Sequence, residues 1–173
     1  MTVTDIDILE TAIDWAKAGM FLATFFNIFG LLFLIANVGF WHFGKTAMAK
    51  AYVIPLLVAG SLLVVIGVGL IISNQMRLAG FPGAVGADAA AFVAAEIDRA
   101  EQTIASYQNV VFKAIPVIIM ICAALVLFLE SPVWQASVIV VVAMMAVIML
   151  VDTNASMRLE NYRDQLLLAE RQK

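Results

Sequence analysis

The sequence predicts an all-α integral membrane protein: four transmembrane helices in an antiparallel bundle, three of them extended by amphipathic helices on one side of the membrane. Three features carry this expectation. Of 173 residues, 64% are hydrophobic and only 13% charged, with a mean hydropathy of +1.00, against roughly 45–50% apolar residues in a soluble domain. The apolar residues fall into four runs, 18–40, 51–73, 114–129 and 133–151, and the charges lie outside them. Three polar segments repeat apolar residues at alternating steps of three and four, and each repeat runs straight into a span. The chain is expected to form a single domain, 1–173.

Residues 1–17 are expected to form a helix capped by Thr4, with Asp5 and Asp7 at its dipole-positive start. Ile6, Leu9, Ile13, Ala16 and Met20 carry one apolar face into the first span, and Trp15 is expected to anchor it at the membrane interface. The acidic segment before the first apolar run argues against a cleaved signal peptide, so this span is expected to remain as an anchor. A helix lying flat on the membrane is the alternative, but its polar face is acidic and gains no attraction from anionic lipid.

Within span 18–40, Asn27 lies near mid-membrane, where an unpaired amide is costly, so it is expected to face another helix and hydrogen-bond there. The connector 41–50 is short enough to make the first two spans neighbours, and Trp41 and His42 are expected to sit among headgroups. In span 51–73, Gly60, Gly67, Gly69 and Ser73 are expected to be close-approach positions against a neighbouring helix. Residues 74–87, with Gly80, Pro82, Gly83 and Gly86, read as a loop.

Asp88 is expected to cap the helix over 88–113, around which the other elements should pack. Its seam is Val93, Ile97, Ala100, Ile104, Tyr107 and Val111, and it continues into span 114–129. Pro116 cannot donate to residue 112, which predicts a bend. A tight turn at 130–132 leads to Trp134, an interface anchor, and span 133–151. Residues 152–173 then continue as a helix with the seam Ala155, Leu159, Tyr162, Leu166 and Ala169 and charges on its other faces.

Eight of the ten Lys and Arg residues lie on the side of the extensions: Lys17, Arg77, Arg99, Lys113, Arg158, Arg163, Arg171 and Lys173. Lys45 and Lys50 lie on the other. The positive-inside tendency places both termini in the cytoplasm of a multi-pass protein, with a bacterial inner membrane as the expected location.

The chemistry of the chain is sparse. The spans hold no acidic, basic or histidine side chain at mid-depth, which argues against a proton- or ion-coupled carrier. One histidine and one cysteine, Cys122, cannot build a metal centre, and no phosphate loop or nucleophile motif is readable. No metal, cofactor or nucleic acid is expected, nor an enzymatic activity. Glu96, Asp98 and Glu101 read as a solvated helix face rather than a cation site. The expected role is helix packing: an accessory, assembly or interaction subunit of a larger membrane complex, with a membrane-protein partner or second copies of itself in the bilayer. The alternatives are a stand-alone binder of lipid or a small apolar molecule, and a homo-oligomeric channel.

Overall fold

The structure is a computed structural model that describes residues 3–171, with side chains from residue 5 onward. It is almost entirely helical, and the described residues contain no strand. In chain order the elements are α1 (Val3–Phe43), α2 (Ala47–Ala51), α3 (Val53–Ala87), α4 (Ala89–Asn109), a π-helical segment (Val110–Ala114), α5 (Ile115–Val126) and α6 (Pro132–Arg171). Four continuous helical stretches are long and apolar enough to cross a membrane: Asp5–Phe43, Ala47–Ala87, Ala89–Val126 and Pro132–Arg171. Helices α1 and α6 contain 41 and 40 residues. At 1.5 Å per residue each reaches about 60 Å, twice the hydrocarbon core of a bilayer.

The expected loop over 74–87 is helix. Helix α3 runs unbroken to Ala87 with Pro82 inside it, and the chain changes direction only at Asp88. Packing outweighs local breaking here. Leu63, Gly67, Asn74, Phe81 and Val85 are buried on one face, while Gly80, Pro82, Gly83 and Gly86 are all exposed on the others. Asp88 has an extended backbone (φ −157°, ψ 98°), and its carboxylate accepts from the Ala90 and Ala91 amides at 3.0 Å. It is the N-cap that the sequence predicts. The Thr4 cap concerns a side chain outside the described residues, although α1 already includes Val3.

Around Pro116 the helix is locally irregular. The π-helical turn Val110–Ala114 lies directly upstream, and the Ile115 amide reaches back to the Val110 carbonyl. A wider turn of this kind accommodates a lost i−4 bond within a continuous helix.

Helix α6, rather than the 88–129 stretch, is the element that touches every other helix. Helices α1 and α3 make the most extensive pair, and α5 makes its substantial contacts only with α6 and the π segment. Along α1 and α3 the facing positions run in opposite order: Gly19 meets Asn74, Asn27 meets Gly67, and Gly30 meets Gly60. A Cβ on Gly60 would lie 2.9 Å from the Gly30 carbonyl oxygen, so the two backbones nearly touch there. Gly69 has nothing within 4 Å of its missing Cβ, and Ser73 is exposed; neither is a helix-packing position against α1.

The largest core joins four elements. Ile8, Ala12 and Ala16 of α1, Phe81 and Val85 of α3, Phe92, Val93, Ile97, Ala100 and Ile104 of α4, and Leu159, Tyr162 and Leu166 of α6 form one buried cluster. Three polar segments were expected to supply such seams; the end of α3 is a fourth. Two smaller clusters, Phe26 with Leu63 and Val151, and Leu56 with Ala59 and Val140, lie among the apolar runs.

Candidate functional site

Where the apolar runs give way to more polar sequence, α1, α3, α4 and α6 line a cavity of about 180 Å³. Its apolar end is lined by Leu22 and Phe26 of α1, Leu70 of α3 and Val151 of α6. Its polar end is lined by Trp15, Asn74, Arg77, Arg99, Thr103, Tyr107, Asp152 and Arg158. The periodicity that builds the core places these residues: each occupies or adjoins a seam position on its helix, at the level where that helix stops being apolar on every side.

Trp15 organises the polar end. Its ring stacks on Tyr162 at 5.0 Å between centroids and 16° between planes. The Arg99 guanidinium lies 4.6 Å from the Trp15 ring centroid and that of Arg77 5.6 Å, within cation–π range. The expected headgroup anchor at Trp15 is therefore an inward-facing ring packed within the chain. Trp41 and Trp134 do face outward, 67% and 64% exposed, and His42 is exposed beside Trp41.

Glu96 departs from the solvated face expected of it. It is buried, and it accepts hydrogen bonds from both Nε (2.9 Å) and Nη2 of Arg99 and from the Tyr162 hydroxyl (3.1 Å). Two charge-assisted bonds and one phenol offset the cost of removing this carboxylate from water. Burial and the Glu96 charge hold the Tyr162 phenol far above its ordinary range. Asp98 and Glu101 on the same helix are exposed, as expected.

The charge that remains is basic. No carboxylate lies within ion-pair distance of Arg77 or Arg158 among the described residues. Burial and then the neighbouring Arg99 charge depress the pKa of Arg77, and the charge of Glu96 offsets this only in part. Asp152, the first residue beyond the fourth apolar run, is the one carboxylate lining the cavity, and burial pushes its pKa up to about 6. Burial likewise raises Tyr107, to about 12, with the Asp152 charge a smaller cause.

The seam residues Val93, Ile97, Ala100, Ile104, Leu159, Tyr162 and Leu166 are all buried together, and Tyr107 packs half-buried against them. Of the helix-packing residues, Gly60 and Gly67 are at close approach. Asn27 does face α3 at Gly67, but it donates to its own helix, at the Ala23 carbonyl (3.3 Å). The bond between helices is made instead by Asn37, donating to the Val53 carbonyl. Sequence reasoning passed over Asn74, Arg77 and Arg158. A signal for Asn74 and Arg77 existed: they continue the three-four spacing of Gly60, Leu63, Gly67 and Leu70 toward Phe81, and only the loop reading hid it. The chain matches no family model, no curated protein and no solved structure.

Proposed function

We propose that this chain is a non-enzymatic, four-span membrane protein that binds a lipid or another small amphiphile in the cavity at the junction of spans and extensions. In this reading the spans form an antiparallel bundle, the four extensions project together on one side, and the lysine and arginine distribution puts that side and both termini in the cytoplasm. One observation carries the binding role: a single cavity is apolar at its span end and arginine-rich at its extension end. Recessed sites of mixed lining are where ligands settle.

Packing alone explains less of the chain. The seams that would have offered docking faces bury one another within a single molecule. An accessory-subunit role draws support from one feature, the thin packing of α5, which leaves Val117, Met120 and Ile121 between 48% and 63% exposed. A channel draws less, because Asn27 and Asn37 are committed to backbone carbonyls.

Purification from the native membrane in a gentle detergent, followed by mass determination of the intact particle, tests the proposal. The expected particle is one chain carrying one co-purified amphiphile that organic solvent releases. A stoichiometric second protein and no amphiphile would establish the accessory role instead, and an empty symmetric homo-oligomer the channel.

A further inference from the structure

The cavity's polar end has a chemical preference of its own. Arg77 and Arg99 converge on Trp15 from two different helices, and Arg158 enters from a third. Glu96 holds Arg99 through two hydrogen bonds and acts on Arg77 only through its charge, while Asp152, the one carboxylate lining the cavity, makes no ion pair with Arg77. A half-buried guanidinium beside a second one favours an anion that completes the site. All buried side-chain polar atoms among the described residues have partners, so the unused Arg77 donors are those that open onto accessible space. A guanidinium is a planar fork whose paired donors match two oxygens of a phosphate, and it stays charged when partly desolvated. Immediately toward the spans, Leu22, Phe26 and Val151 line the same space, where an acyl or glycerol group would follow the phosphate.

Resting on the binding role proposed above, we infer that Arg77, flanked by Arg99 and Arg158, holds the phosphate of the ligand, and that an anionic phospholipid headgroup supplies it. A volume of about 180 Å³ suits a headgroup and leaves the acyl chains to the membrane. The shared chemistry, a phosphate held by guanidinium forks, could also be met by free phosphate, and the experiment separates the two sources.

The full chain is delipidated in detergent and titrated with short-chain phosphatidylglycerol or phosphatidylcholine, with the bound lipid read by native mass spectrometry. Phosphatidylglycerol is expected to bind roughly tenfold or more tightly than phosphatidylcholine. Arg77→Gln is expected to remove that preference, Arg77→Lys to keep part of it, and Arg163→Gln, whose guanidinium pairs with Asp164 outside the cavity, to leave it intact. Arg158→Gln alters an exposed side chain, so its expected loss of preference can be read even if the Arg77 variants fold poorly. Inorganic phosphate at millimolar concentration is expected not to displace the lipid. Displacement by phosphate alone, with the same dependence on Arg77, would keep the anion site and overturn the lipid assignment. Equal binding of the two lipids, or an unchanged preference in both Arg77→Gln and Arg158→Gln, would overturn the inference while leaving an amphiphile site in place. Failure of both lipids to bind the wild-type chain would instead remove the binding role itself.

Discussion

Ile104→Asp is expected to dismantle the core formed by the four extensions. Ile104 is 5% exposed and lies in the cluster built from α1, α3, α4 and α6. An aspartate there would bury a carboxylate with no partner and remove a large apolar side chain, a combined loss of roughly 4 kcal/mol or more. The apolar runs do not depend on this cluster, so the variant should still insert, but its extensions should become sensitive to protease at 88–109. Glu101→Ala, one helical turn away on the exposed face, should change stability by less than about 0.5 kcal/mol. Limited proteolysis with the thermal midpoint in detergent reads both. Equal tolerance of the two substitutions would mean that the seam does not hold the extensions together.

Gly60→Leu is expected to separate α1 from α3. Its Cβ alone would lie 2.9 Å from the Gly30 carbonyl oxygen and 3.0 Å from Leu34 Cγ, and a backbone atom cannot rotate away. Overpacking of this kind costs about 1–3 kcal/mol, and a leucine at a backbone-to-backbone contact belongs at the upper end. Gly69→Leu provides the contrast. It lies nine residues along the same helix with nothing within 4 Å, so it should be neutral. Thermal unfolding of the two variants in one detergent decides this, and a Gly69→Leu loss as large as that of Gly60→Leu would contradict the α1–α3 register.

That register also shows which parts of the fold were legible in the sequence. The seams at Val93 to Tyr107 and at Leu159 to Leu166 followed from spacing alone, because a helix face that repeats every three to four residues must be covered by something. The cap at Asp88 followed from side-chain chemistry. The end of α3 did not follow, since local rules weigh Gly80, Pro82, Gly83 and Gly86 as breakers and carry no account of what Phe81 and Val85 gain on burial. Gly60 and Gly69 look alike in sequence, and only the facing helix distinguishes them. The candidate site was the least legible. Trp15 and Glu96 each have an ordinary surface role, and both are drawn inward by Tyr162, whose place beside them depends on the path of the whole chain.

The central claim is that four spans place all the extensions on one side of the membrane. Single cysteines at Asp98, Glu170 and Lys45, in a Cys122→Ser background, test it most directly, because all three side chains are exposed. With sealed inverted and right-side-out vesicles and a membrane-impermeant maleimide, positions 98 and 170 should label from the same face, and position 45 only from the other. Labelling of all three from one face would contradict the claim.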